Sequence, residues 1–125
     1  MKQPVARYSP ADLPRVVARD FAGQEAVVER ILAGYPGGKG TGDGGLRVRM
    51  ACLKLARGDL GRLERLVIVA CGDFRDVLSA AEYPAYMRAG SREKHDEAIC
   101  ADWQQLQAWL HATEPQRVDE NDPDG

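Results

Sequence analysis

The chain lacks the patterns that mark membrane proteins, disulfide frameworks and metal sites. Its longest apolar run, Leu66 to Cys71, has six residues, whereas a membrane-spanning helix needs about 20. Three widely spaced cysteines form no C-x-x-C pair, and the two histidines are not at metal-ligand spacing. We therefore predict no membrane span, disulfide, structural metal or cofactor, and we expect the protein to be cytoplasmic.

Aromatic residues and net charge are also scarce. Aromatics make up 6% of the 125 residues, so the core must be mostly aliphatic, and the formal net charge is −2. Residues 114–125 hold five acidic residues and one arginine, which leaves sixteen basic and fourteen acidic residues in the rest. Neither part has the clustered basic excess of a polyanion-binding domain, so nucleic acid is disfavoured as a partner.

What the chain does have is the composition and length of one small domain, with 44% hydrophobic and 29% charged residues. Residues 1–11 show no apolar periodicity and are predicted to be a flexible N-terminus. Residues 12–113 form the predicted helical domain, interrupted by a glycine-rich loop at 34–45. Residues 114–125 are acidic and nearly devoid of apolar side chains, which predicts a disordered tail.

A short repeat organises the middle of the domain. Ala56-Arg57-Gly58-Asp59-Leu60 recurs fourteen residues later as Ala70-Cys71-Gly72-Asp73-Phe74. Glycine can close a helix in the left-handed conformation, and the following aspartate can accept the free N–H groups of the next helix. Each Gly-Asp pair is therefore predicted to be a hinge, with Asp59 and Asp73 as helix caps.

Apolar spacing of three and four residues predicts an all-α fold of five or six helices arranged as antiparallel hairpins. The β-branched stretch Val67-Ile68-Val69 could also be a short strand, but an isolated strand has no partner, which favours a helix.

Asp12 and Ser91 are predicted caps of the first and last helices. In the last helix Ile99, Trp103, Leu106 and Leu110 form one apolar stripe, so Trp103 and Leu106 are predicted to be buried. The three cysteines lie in apolar stretches and are predicted to be buried as well.

The glycine-rich loop contains seven glycines and satisfies G-x-G-x-x-G at residues 40–45. A dinucleotide fingerprint requires a preceding strand in a βαβ unit, and here a helix precedes it. We interpret the loop as a mobile linker.

The densest polar and aromatic segment runs from Asp73 to Arg88. Its carboxylates have simple structural roles near helix starts, whereas the aromatic, methionine and arginine residues around Pro84 have the composition of interface hot spots. The predicted partner-binding residues are Tyr83, Tyr86, Met87 and Arg88. The partner is predicted to be a protein, and self-association into a homodimer through the same patch is an alternative.

Two other functions remain open. A basic surface on the helices around Gly58 would suit a nucleic-acid-binding helical domain; it comprises Arg47, Arg49, Lys54, Arg57, Arg62 and Arg65. The turn there is too short for an ordinary helix-turn-helix, which favours a solvated face. A small enzyme is the third reading, but His95, Asp96 and Cys100 point in different directions along one helix and predict no catalytic residues.

Three segments resemble a group of small bacterial proteins with a helical core and no assigned activity. The segments are Arg47–Ala56 running into Gly58-Asp59-Leu60, Asp73–Leu78 with Glu82-Tyr83-Pro84, and Asp102-Trp103 with Trp109-Leu110. The chain departs from that pattern in its longer glycine loop and at Gly72. The helix pair around Gly58 also resembles ubiquitin-associated-type three-helix domains, which bind partners through small apolar patches. These resemblances imply a helical fold and leave activity open, so the predicted function is a non-enzymatic interaction or regulatory module.

Overall fold

The structure is a computed structural model that describes residues 6–36, 45–90 and 92–116. The G-x-G-x-x-G motif is largely outside this part, as are Ser91 and most of the acidic tail. The described residues form six helices and no strand, in one all-α domain. The helices are α1 (Asp12–Asp20), α2 (Glu25–Leu32), α3 (Leu46–Ala56), α4 (Leu60–Glu82), α5 (Pro84–Arg88) and α6 (Arg92–His111).

The first two helices are separated at Gly23, which adopts a positive φ of 82°. Pro14 lies in the first turn of α1, where a missing N–H costs little. Asp12 is not the N-cap of α1. It is the first helical residue, and its carboxylate accepts a hydrogen bond from the Ser9 N–H at 2.8 Å.

Helices α3 and α4 form the central hairpin of the domain. Arg57 and Gly58 both adopt the left-handed conformation, with φ of 51° and 79°, and so reverse the chain within two residues. A Cβ atom at Gly58 would lie 2.8 Å from the carbonyl oxygen of Gln116 and 3.0 Å from that of Asp20. Gly58 therefore allows both the reversal and the close approach of two other segments.

The predicted cap at Asp59 is confirmed, since its carboxylate accepts a hydrogen bond from the Arg62 N–H at 2.8 Å. Replacing Asp59 with alanine is expected to lower the free energy of unfolding by about 0.5–2 kcal/mol, because the first turn of α4 loses its acceptor. Asp59→Asn keeps an acceptor and is the matched control, with an expected loss of only about a few tenths of a kcal/mol. Urea denaturation of the two variants checks the cap, and equal losses would contradict it.

Helix α4 bends at the second Gly-Asp pair. Asp73 has non-helical backbone angles (φ −151°, ψ 100°), and its carboxylate accepts from the Arg75 N–H at 3.0 Å, so it opens a second helical half as predicted. Val67-Ile68-Val69 is helical. Gly72 has ordinary helical geometry with open space around it, so the bend depends on the Asp73 backbone.

The core is aliphatic and lies between α1, α2, α3 and α4, with α6 closing one side. Its largest fully buried side chains are Phe21, Met50, Leu53, Leu63, Val16, Val28 and Val48. Leu106 is buried as predicted, but the prediction for Trp103 is wrong. Trp103 is 36% exposed, and Trp109 is the buried tryptophan, at 6%.

Two of the three cysteine predictions are also wrong. Cys52 is buried in α3, whereas Cys71 and Cys100 are exposed. All three are free cysteines. Both exposed thiols lie on helix faces adjacent to the apolar stripe, which residue spacing alone does not separate from the stripe itself.

Packing extends beyond both predicted ends of the helical domain. Ala6 is buried and Tyr8 packs against the core, so the described part of the predicted flexible N-terminus contacts the domain. At the other end the Gln116 N–H donates to the Asp20 carboxylate at 2.9 Å. Within the glycine-rich segment, Tyr35 is buried and its N–H donates to the Leu32 carbonyl at 3.0 Å.

The last two residues of α1 hold the end of α6. The Arg19 guanidinium donates to the carbonyl oxygens of Trp109 and Ala112 at 2.6 and 2.9 Å and lies 5.6 Å from the Trp109 ring centroid. It also pairs with Asp20, whose side chain is fully buried. A cation at a helix C-terminus donates hydrogen bonds to the free carbonyl groups and interacts favourably with the helix dipole, so it stabilises that end of the helix.

Candidate functional site

Helix α5 is a short surface helix that a buried carboxylate holds in place. Each of its five residues retains solvent exposure. Asp102 on α6 is buried, and its two carboxylate oxygens accept from the Ala85 and Tyr86 N–H groups at 2.8 and 2.9 Å. Both N–H groups belong to the first turn of α5, where no intrahelical acceptor is available. Asp102 therefore caps α5 from the neighbouring helix.

The four predicted partner-binding residues lie on and beside this helix. Met87 is 65% exposed and Arg88 is exposed, whereas Tyr83 and Tyr86 are half-buried. The Tyr86 ring packs against His95 of α6 with 4.7 Å between ring centroids. His95, considered from the sequence as a possible ligand or base, is therefore a packing partner of α5.

Trp103 adds an aromatic side chain that the sequence analysis placed in the core. It follows Asp102 directly and lines one small cleft together with Tyr83 and Ala6. We call the surface formed by Tyr83, Tyr86, Met87, Arg88 and Trp103 the α5 surface. No signal in the sequence locates Trp103 at the surface, because the capping role of Asp102 next to it is a contact between two helices.

A buried ion pair lies beneath the α5 surface, at the end of α4. The Glu82 side chain is 2% exposed and receives two hydrogen bonds from the Arg47 guanidinium of α3, one from Nε at 2.9 Å and one from Nη2. Arg47 Nη2 also lies 3.4 Å from the Tyr83 hydroxyl. The sequence placed Arg47 on a solvated face, and this prediction is wrong, since helical spacing does not show what the neighbouring helix provides.

The pKa values of three side chains around this pair are raised, which moves them further from neutral pH. Burial, and then the Glu82 carboxylate, raises the pKa of Tyr8 well above its usual value. The same two causes raise the pKa of Tyr83. The hydrogen bond to Glu82 raises the pKa of Arg47 further. All three side chains therefore hold their protons, as a structural network requires.

Lys54 is the described group whose pKa moves toward neutrality. Burial, followed by repulsion from Arg57, lowers the pKa of Lys54 from 10.5 to about 8. Its ammonium donates to the side-chain oxygen of Gln105 at 3.1 Å. Because the folded pKa lies below the unfolded one, the unfolded state binds more protons between pH 8 and 10.5, and stability rises with pH there.

We expect Lys54→Met to stabilise the protein below pH 8 by about 1–2 kcal/mol, because it removes a partly desolvated charge. The advantage over the wild type should shrink between pH 8 and 10.5. Burial raises the pKa of Cys52 from 9.0 to about 12, which lowers stability above pH 9, but both proteins share this thiol and it cancels in the difference. Urea denaturation of both proteins from pH 7 to 10.5 checks this, and a constant difference would contradict it.

The basic residues around Gly58 do not form one solvated surface. Arg47 pairs with Glu82, Arg49 donates to the Tyr35 carbonyl at 2.7 Å, and Lys54 contacts Gln105. Arg57, Arg62 and Arg65 line one open cleft whose floor includes Leu66 and Val69. The basic surface is thus reduced to three arginines over an apolar floor.

Other chemistry considered from the sequence is not assembled in the described part of the chain. Across residues 6–36, 45–90 and 92–116, the His, Cys, Asp and Glu side chains form no group of three that could hold a metal ion. Asp73 pairs with Arg75 at 3.0 Å, which lowers the pKa of Asp73, and Glu82 is buried some distance along α4. No helix in these ranges is both long and apolar enough to cross a membrane.

Comparison with protein families, with curated proteins and with solved structures gives no match. The resemblance to small bacterial helical proteins therefore stays a prediction. The α5 surface and the contacts that fix it are the features of the described residues that suggest a function.

Proposed function

We propose that the protein is a non-enzymatic interaction or regulatory module that binds a protein partner through the α5 surface. We place this role in the bacterial cytoplasm, where three free cysteines remain reduced. The partner would bury Met87 and Trp103 and place a carboxylate beside the Arg88 guanidinium.

The observation that carries this proposal is the Asp102 cap. A five-residue helix is far too short to be stable alone, since nucleation of a helix is unfavourable. Burying a carboxylate is costly unless hydrogen bonds satisfy it, and here the two N–H groups of α5 donate them. The domain therefore uses a buried charge to order a segment that contributes little to its core.

An ordered surface segment loses less entropy when a partner binds. The cap fixes the α5 backbone, and the Tyr86–His95 contact restrains one side chain, so Met87 and Arg88 are presented in a defined arrangement. Exposed methionine and tryptophan beside an arginine match the composition of interface hot spots. The complementary partner surface would offer an apolar pocket next to a carboxylate.

The experiment compares two double variants that remove the same kinds of side chain from different surfaces. Met87→Ala with Arg88→Ala removes the two most exposed side chains of α5. Val69→Ala with Arg65→Ala is the matched control on α4, where both residues are exposed. Protein recovered from a cell extract is quantified by mass spectrometry, with circular dichroism confirming the fold. We expect the first variant to lose its specific partner and the control to retain it. Equal recovery by both variants would contradict the proposal.

The same pair of variants addresses the nucleic-acid alternative, which the cleft of Arg57, Arg62 and Arg65 favours. A nucleic-acid-binding domain would show salt-dependent retention of DNA or RNA. That retention would fall in the Arg65→Ala variant and be unchanged in the Arg88→Ala variant. The α5 proposal expects neither variant to retain nucleic acid at physiological salt.

A further inference from the structure

A second apolar surface lies between α2 and the first half of α4. Ile31 of α2 and Val67 and Ile68 of α4 line an open groove there, and Arg30 and Glu64 line it as well, one from each helix. Val27 lies one turn before Ile31 on the same face of α2. We call this region the α2–α4 face. It is separate from the α5 surface, since it uses residues 64–71 of α4 and none of α5 or α6.

The exposure on this face is large for side chains of this kind. Ile68 is 71% exposed and Val27 is 40% exposed. A β-branched residue also lowers helix propensity. An exposed Ile68 is therefore unfavourable both for the stability of the helix and for contact with water. Clustered exposed apolar side chains mark interaction sites in soluble proteins.

The charges at the groove indicate which partner covers it. Arg30 and Glu64 are both exposed and form no ion pair within residues 6–36, 45–90 and 92–116. They carry opposite charges and lie on the two different helices that border the apolar floor. A surface with one positive and one negative side across an apolar strip is complementary to itself.

We propose that a second copy of this chain docks on the α2–α4 face through a two-fold axis. In a two-fold interface residue i contacts residue j of the partner, and j contacts i in return. Arg30 of each copy then meets Glu64 of the other, and Ile68 of each copy is buried against the opposite groove. One ion-pair type is thus formed twice around an apolar centre. This proposal does not depend on the role of the α5 surface.

The experiment measures molar mass by light scattering after size exclusion, together with sedimentation equilibrium from about 1 to about 500 µM, the range in which weak and moderate dimers dissociate. The wild type is expected to approach twice the chain mass of 13.7 kDa. Ile68→Glu is expected to be monomeric, because it places a carboxylate at the apolar centre of the interface. Met87→Glu makes the same kind of change on the α5 surface and should stay dimeric.

Charge reversal distinguishes this two-fold pairing from nonspecific hydrophobic association. Arg30→Glu and Glu64→Arg each create two like-charge contacts per dimer and should raise the dimer dissociation constant about a hundredfold. Mixing these two variants restores opposite charges at both contacts and should give a heterodimer close to wild-type affinity. Glu29→Arg, which makes the same charge change outside the groove, should leave the dimer unchanged. Circular dichroism of each variant confirms its helix content.

Three results would overturn the proposal. One is a wild type that stays monomeric throughout the concentration range, which would leave the face to a different protein. The second is a dimer that persists in Ile68→Glu. The third is the failure of the folded Arg30→Glu and Glu64→Arg variants to associate when mixed.

Discussion

Arg47→Met is expected to lower the free energy of unfolding by about 3–5 kcal/mol, since it leaves the buried Glu82 carboxylate without its cation. Glu82 is 2% exposed on its side chain, so water cannot replace the two hydrogen bonds that Arg47 donates. The pair joins α3 to the end of α4 and lies directly beneath Tyr83. Its loss should therefore destabilise the whole domain.

The control for this prediction removes both charges. Arg47→Met combined with Glu82→Leu replaces the pair by apolar side chains, which proteins tolerate well when the volume is preserved. The double variant should recover most of the stability that Arg47→Met loses. Urea denaturation followed by circular dichroism measures both, and a loss below about 1 kcal/mol for Arg47→Met would show that Glu82 is solvated.

Trp109→Ala is expected to cost about 3–5 kcal/mol, the range for a large aromatic side chain removed from a core. Trp109 is 6% exposed, and its ring also lies against the Arg19 guanidinium that holds the end of α6. Trp103→Ala should cost less than about 1 kcal/mol, as expected of a surface substitution. The two tryptophans of one helix thus give a matched comparison of core and surface.

Fluorescence quenching tests the same assignment without disturbing the core. In Trp109→Phe the remaining Trp103 should be quenched readily by acrylamide, and in Trp103→Phe the remaining Trp109 should be protected. The reverse pattern would place Trp103 in the core and remove it from the α5 surface.

The architecture of the chain could be predicted because local signals determine it. Gly23 and Gly58 adopt the positive φ values that end helices, Asp59 caps α4, and Asp73 opens the second half of that helix. These features depend on a residue and its near neighbours, so they can be identified from residue type and spacing. The helical state of Val67-Ile68-Val69 followed from the lack of a second strand to pair with.

The contacts between distant segments could not be predicted in the same way. Arg47 and Glu82 are thirty-five residues apart, and either side chain alone is typical of a solvated helix face. The spacing of Trp103 within α6 is consistent with the apolar stripe, but its side chain lines a small cleft with Ala6 and Tyr83 and remains 36% exposed. Which face of α6 is buried depends on where α4 and α5 pack against it, and no pattern within α6 contains that information.

The two ends of the domain were missed for a related reason. Ala6 and Gln116 lie in segments without apolar periodicity, which predicted no packing for either. Gln116 is fixed through its backbone N–H, which donates to a buried aspartate ninety-six residues away. A backbone hydrogen bond leaves no trace in residue type.

Photocrosslinking from the α5 surface is the most direct test of the central claim, that this surface binds a protein partner. A benzophenone amino acid in place of Met87 reports what contacts the surface, and the same probe in place of Ala18, an exposed residue of α1 outside both surfaces, is the control. We predict that one protein species crosslinks from position 87 in cells, that it does not crosslink from position 18, and that it is lost when Arg88→Ala is added. Crosslinks of equal pattern from both positions, or none from position 87, would contradict the account.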